Sequence, residues 1–191
     1  VKRIEDVGFL RSIQFAEDAG PLAHPVRPNS YMEISNFYTT TIYEKGAEVV
    51  RMYHTLLGQE AFRRGTDLYF DRHDGTAATT DDFAQAMSEA GGIDLNQFKL
   101  WYEQPGTPQV EVRESFADGT LNLEIVQAPA DLPNQKHQRA FHMPLALGLL
   151  DVAGDPLSLD PSTLHSDAEV SLRDSGHTLL VGAKESVTHL E

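Results

Sequence analysis

The chain has 191 residues, a net charge of −14 and a pI near 4.8, with 40% hydrophobic and 23% charged residues, an ordinary composition for one globular domain or two small ones. The acid excess, with no Lys/Arg cluster to offset it, argues against nucleic acid and anionic lipid as partners, and no apolar run approaches the roughly 20 residues a membrane helix needs. The absence of cysteine removes disulfides, thiolate nucleophiles and Cys-based metal sites, and fits a cytoplasmic protein. The first residues, Val1-Lys2-Arg3-Ile4-Glu5-Asp6, carry neither an apolar signal core nor an initiator Met. The chain is therefore expected to start inside a larger protein. Its last residues, Thr188-His189-Leu190-Glu191, read as a strand cut short.

Residues 3–19 read as a helix, with Ile4, Val7, Leu10 and Phe15 at helical spacings, Ile13 near that stripe, and Gly20-Pro21 as its end. Pro21, Pro25, Pro28 and Asn29 mark an irregular loop, in which His24 is read as a hydrogen-bonder. Residues 31–41 are extended or short-helical, and Asn36 there fixes a turn or lines a pocket. A helix is predicted over 42–57, burying Ala47, Val49, Val50, Tyr53, Leu56 and Leu57, with Gly58 as its terminator. A second helix over 59–73 turns Ala61, Phe62, Leu68, Tyr69 and Phe70 inward. Asp71 and Asp74 beside His73 read as a solvated helix end. Thr80 is the predicted N-cap of a helix that runs to Ala90 and stops at Gly91-Gly92, with Asp81 and Asp82 in its first turn. Asp94 caps a last helix, 95–103, burying Leu95, Phe98 and Trp101.

After Thr107-Pro108 the period changes from helical to two. Val110 and Val112, then Leu121, Leu123 and Ile125, alternate with polar residues across Asp118-Gly119, the hairpin dipeptide. A polar loop over 128–139 follows. Further strands are predicted over 141–150, 170–172 and 179–181, with turns at Gly154-Asp155-Pro156, Asp160-Pro161 and Asp174-Ser175-Gly176. Short strands at this spacing predict a β-sandwich. The fold class is thus α+β, in two parts: helical over 1–106 and all-β over 107–191.

The candidate site is Tyr38-Thr39-Thr40-Thr41-Ile42-Tyr43-Glu44-Lys45-Gly46. Phenols are costly to bury unless the hydroxyl finds a partner, so two this close either pack in a core or line a polar cavity. A phenol, with a pKa of about 10, stays protonated near neutral pH and can donate to a developing oxyanion. Other catalytic signatures are missing: no G-x-S-x-G elbow, no phosphate-binding glycine loop and no H-E-x-x-H zinc helix occur in the sequence.

The Tyr43-Glu44-Lys45-Gly46 string, with Tyr38 five residues before its first tyrosine, resembles the catalytic-tyrosine segment of the gluzincin zinc aminopeptidases, the aminopeptidase N family. Leu10-Arg11-Ser12-Ile13-Gln14-Phe15-Ala16-Glu17-Asp18-Ala19, Pro21-Leu22-Ala23-His24-Pro25-Val26-Arg27-Pro28, Tyr69-Phe70-Asp71-Arg72-His73-Asp74-Gly75 and Trp101-Tyr102-Glu103-Gln104-Pro105-Gly106-Thr107-Pro108 resemble its bacterial, alanyl-aminopeptidase branch. The resemblance implies a fragment: the helical half of a thermolysin-like catalytic domain, then a small immunoglobulin-like sandwich. It implies that Tyr43 donates to the tetrahedral oxyanion when zinc-bound water attacks a peptide carbonyl, and that Tyr38, Glu44 and Asn36 line the substrate site. Ser35 stands before Asn36 where close relatives often carry a second Asn, which leaves the side-chain preference open. Zinc is expected on residues upstream of Val1, so no metal ligand is assigned in this chain. The implied partners are peptide substrates, the missing catalytic half and a C-terminal helical domain of the same protein. The alternative reading is a non-catalytic helical and β-sandwich module that packs against partner domains.

Overall fold

A computed structural model describes residues 1–118, 120–130, 132, 138–157, 164–166, 169–173, 176–181 and 185–190. It divides into two compact units, residues 1–108 with 129–139, and residues 109–128 with 140–191.

In the first unit, helix α1 (Lys2–Phe9) passes through a π-helical turn (Leu10–Gln14) into a short helix α2 (Phe15–Asp18). The predicted apolar stripe is not the buried face. Ile4, Phe9, Ile13 and Phe15 are exposed, whereas Gln14 and Asp18 are fully buried. The reason is the partner: this face packs on backbone and charged groups that need polar company, and nothing among the described residues covers the apolar face. After an irregular loop and a short 3₁₀ turn (Ile34–Phe37), a second π-turn (Thr41–Lys45) leads into α3 (Gly46–His73). Gly58 interrupts α3 with φ +74°, a non-helical conformation open to glycine, so two helical segments meet there at a kink, where the sequence places the end of one helix and the start of the next. Val49, Tyr53, Leu56 and Leu57 are buried, but Ala47, Val50 and Phe70 are exposed.

Helix α4 (Thr80–Gly91) packs against α3. Gly65 makes the approach possible, since a Cβ there would stand 2.7 Å from Met87 Sδ and 3.3 Å from Met87 Cα. The N-cap is Thr79 rather than Thr80. Thr79 is extended, its Oγ1 accepts from Asp82 N at 3.2 Å, and its own N–H donates to Asp82 Oδ2 at 2.8 Å. The Thr80 hydroxyl instead accepts from Arg27, which also pairs with Asp81 at 2.6 Å and ties the early loop to α4. Gly92 closes α4 in the left-handed conformation. The last helix begins later than predicted, as a 3₁₀ turn (Gln97–Lys99) running into α5 (Leu100–Glu103), because Asp94 Oδ1 first holds Asn96 N in a turn. Leu95, Phe98, Leu100, Trp101 and Tyr102 are buried around Tyr53, whose ring lies 4.4 Å from that of Phe98. Burial pushes both core phenols above their usual value, Tyr102 to about 12 and Tyr53 further.

One polar knot closes this unit. Asp18 Oδ2 accepts from Lys45 Nζ at 2.6 Å and from Thr107 Oγ1 at 2.8 Å, and Oδ1 accepts from Gly106 N at 2.8 Å. Lys45 Nζ also donates to the Gly106 carbonyl at 2.9 Å. Both side chains are shielded from water, and desolvation draws the Lys45 ammonium below its ordinary pKa against the pull of Asp18. Residues 129–139 return to this unit. Leu132 is buried there, Gln138 donates to the Pro105 carbonyl at 3.0 Å, and the Gln104 side chain exchanges two bonds with the Arg139 backbone.

In the second unit, β1 (Gln109–Ala117) and β2 (Thr120–Ala128) form the predicted hairpin, with Ala117 opposite Thr120 and Asp118 at φ +53°. The remaining strands are β3 (Met143–Leu147), β4 (Leu149–Leu150), β5 (Pro156–Leu157), β6 (Leu164–Ser166), β7 (Glu169–Arg173), β8 (Gly176–Val181) and β9 (Glu185–Leu190). They form antiparallel sheets β1-β2-β9-β6 and β3-β8-β7 and a small hairpin β4-β5. Leu123, Ile125 and Gln127 are the buried, alternate positions of β2. Gln127 exchanges two hydrogen bonds with the backbone of Phe141, so the chain enters β3 two residues later than predicted. The predicted turn at Gly154 is the β4–β5 loop, whose Asp151 Oδ1 accepts from Ala153 N and Asp155 N. The turns predicted at Asp160-Pro161 and Asp174-Ser175 lie outside the described residues.

Two outcomes follow from this packing. Asp18→Ala strands a buried ammonium and lowers stability by about 3–5 kcal/mol, whereas Asp18→Ala with Lys45→Met loses markedly less; urea unfolding of the two variants measures the difference. Arg72 forks onto Glu89 at 3.0 and 2.7 Å across α3 and α4, and its guanidinium holds the Glu89 carboxyl at about 2, well under the usual 4.5. A depressed carboxylate contributes stability above its unfolded pKa and loses it as pH falls. The melting temperature therefore drops between about pH 4.5 and pH 2, and Glu89→Gln flattens that part of the profile.

Candidate active site

The two candidate phenols are placed by the second π-turn. Thr39 starts it, its Oγ1 accepting from Ile42 N at 3.2 Å and its carbonyl accepting from Tyr43 N at 3.2 Å. Tyr43 lies within this π-helical turn, and π-insertions recur at functional sites. Tyr43 is 57% exposed and Tyr38 69% exposed, with their rings stacked at a centroid distance of 6.2 Å and an interplanar angle of 23°. Neither hydroxyl is bonded to a described residue, so both phenols are free to donate to a ligand. The arrangement is a pair of parallel rings on an open surface with one rigid mount.

The π-turn is anchored at both ends. At its start, Thr41 is fully buried: Glu17 Oε1 accepts from Thr41 N at 3.1 Å and from Thr41 Oγ1 at 2.5 Å, and Gln14 Nε2 donates to Thr41 Oγ1 at 3.3 Å. At its end, Lys45 is held by Asp18 and the Gly106 carbonyl. Gln14, Glu17 and Asp18 stand at i, i+3 and i+4 on one helix face. Sequence patterning passed over these residues because it looks for apolar stripes; the available signal was three polar side chains at helical spacing.

Of the other two candidates, Asn36 is committed to its own turn and Glu44 follows Tyr43 on the π-turn. Asn36 Oδ1 accepts from Glu33 N at 3.1 Å and Met32 N at 3.3 Å, so its carbonyl oxygen fixes the 3₁₀ turn. Asn36 also borders a separate open cleft of about 320 Å³ lined by His24, Pro28, Tyr31 and Phe37. Glu44 is half-buried and makes no hydrogen bond with a described residue. His24 binds locally, with Nδ1 2.8 Å from the Pro25 carbonyl and Nε2 3.5 Å from Glu17 Oε1.

Among the described residues, no three His, Asp or Glu side chains converge as a metal-binding group. The described residues of this chain therefore do not make up a zinc site. No helix among the described residues is long and apolar enough to cross a membrane.

Two family models match the chain: the peptidase family M1 domain over residues 8–102, and a domain of unknown function with an Ig-like fold (DUF3458) over residues 106–185. The chain is 50% identical over 161 residues to aminopeptidase N of Escherichia coli (strain K12), covering 83% of this chain and 18% of that protein. It is 50% identical over 175 residues to aminopeptidase N of Caulobacter vibrioides, covering 91% and 20% respectively. A crystal structure of Legionella pneumophila aminopeptidase A matches its fold with a TM-score of 0.68 at 24% identity, over 88% of this chain and 17% of that one. The chain thus spans about a fifth of the length of these relatives. With the M1 model over its helices, the Ig-like model over its strands and half-identical aminopeptidase N relatives along most of its length, the chain belongs to peptidase family M1.

Proposed function

We propose that this chain is the part of a bacterial zinc-dependent aminopeptidase that presents the oxyanion-stabilising phenol to a peptide substrate. The observation that carries the reading is Tyr43, exposed and unbonded on a π-turn fixed at both ends, inside the stretch matched by the peptidase family. As a nucleophile attacks the carbonyl of the first peptide bond, charge gathers on its oxygen. The Tyr43 O–H donates a hydrogen bond to that oxygen and is already in place before the charge forms, which is what makes such donors effective. The Tyr38 ring beside it forms a wall for the substrate's first side chain, and Glu44, the next residue on the same π-turn, borders that approach, whereas Asn36 fixes the neighbouring 3₁₀ turn. The released product is the N-terminal amino acid.

Zinc belongs, in this reading, to a segment of the full-length protein outside this chain, and so does the attacking water. The exposed Ile4, Phe9, Ile13 and Phe15 are the surface on which the rest of the catalytic domain packs. The isolated chain is accordingly inactive. Zinc content and aminoacyl-anilide hydrolysis, measured for the chain alone and for the full-length protein, test this directly: metal and turnover are expected only in the latter.

Tyr43→Phe in the full-length protein is expected to lower kcat by about 10²–10³ with little change in melting temperature, since the lost hydroxyl has no bonded neighbour among the described residues. Turnover equal to that of the parent would overturn the assignment.

A further inference from the structure

The geometry points to Glu17 as a positioning residue that acts on the Tyr43 phenol through Thr41. This inference rests on the reading of Tyr43 as the oxyanion donor.

A hydroxyl that stabilises a developing charge must be held within a fraction of an ångström of its target. Tyr43 is exposed and receives no side-chain bond of its own, so its placement depends on the backbone beneath it. That backbone is π-helical, a less regular winding that persists only where surroundings hold it. The end nearer the phenols is fixed chiefly by one carboxylate oxygen. Glu17 Oε1 accepts both the N–H and the hydroxyl of Thr41, two residues before Tyr43. The Thr41 hydroxyl thereby points its lone pairs back toward Gln14 Nε2, which donates to it at 3.3 Å. His24 Nε2 lies 3.5 Å from the same Oε1 and closes the far side of the carboxylate. Asp18 plays a different part: it is fully buried and ties Lys45, Gly106 and Thr107 together, so its loss unsettles the whole unit. Glu17 is only half-buried, and among the described residues its side chain bonds only to Thr41 of the π-turn and the His24 ring. Its removal loosens the mount of the phenol and leaves the core in place.

The test is a double-mutant cycle in the full-length protein with an aminoacyl anilide as substrate. Glu17→Ala is expected to lower kcat about ten-fold or more while KM stays within about two-fold, because misplacing a donor used only in the transition state spares substrate binding. In the Tyr43→Phe background the same substitution is expected to change kcat by less than about two-fold, since no hydroxyl remains to be misplaced. Thr41→Ser, which retains the bonding hydroxyl, should keep the parent kcat, and Thr41→Val should lose it. This second pair carries the test if Glu17→Ala fails to fold. Equal losses from Glu17→Ala in the two backgrounds, or equal activity of Thr41→Ser and Thr41→Val, would overturn the positioning role while leaving Tyr43 as donor. An undiminished kcat in Tyr43→Phe alone would remove the donor itself, and the positioning role with it.

Discussion

The helical unit depends on a carboxylate with almost no access to water. Asp18 sits at the end of α2, and its two oxygens meet an ammonium, a hydroxyl and a backbone N–H from segments far apart in sequence. Desolvating such a pair is expensive, and a well-packed apolar replacement often matches its stability. What an apolar contact would not supply is direction. The Lys45 ammonium has one carboxylate and one carbonyl to satisfy it, and this fixes where the π-turn ends and where α3 begins. Gly106 offers its N–H and carbonyl to the same cluster, at φ +91° and in a space where a side chain would collide with Ala130 and Leu132.

The helical stretch from α1 through the π-turn to α2 therefore has an unusual division of labour. Its polar residues Gln14, Glu17 and Asp18 face inward, and its apolar residues Ile4, Phe9, Ile13 and Phe15 face outward. A helix read by hydrophobicity alone would be docked the wrong way round. The inward face is polar because it meets a tightly wound turn whose backbone and side chains need partners. The cost of burying those polar groups is offset by satisfying nearly all of them, and the outcome is a rigid mount for an exposed pair of rings.

Much of the architecture could be read from residue order. The change from helical period to period two at Thr107-Pro108, the glycines that end α4, and Asp118-Gly119 between β1 and β2 each have a local physical cause and reappear as such. The features that escaped are those set by distant partners. Thr79 rather than Thr80 caps α4 because Arg27 claims the Thr80 hydroxyl. Phe141 precedes its strand because Gln127 holds its backbone. At the site, the closeness of Tyr38 and Tyr43 followed from their spacing, but the π-winding around Tyr43 did not. That Asn36 fixes a turn is one of its two sequence readings, but its donors, Met32 N and Glu33 N, depend on the chain folding back onto it and are not legible.

Residues 129–139 lie beyond the first β-hairpin in sequence but belong to the helical unit, where Leu132 is buried and Gln138 caps the Pro105 carbonyl. The helical unit is consequently not a contiguous stretch. A truncation at Pro108 would uncover the peptide groups flanking Gly106 and let water reach the carboxylate behind them. Anyone wishing to excise the helices for expression must carry β1 and β2 along as an insert, or replace that hairpin with a short linker joining Pro108 to Pro129.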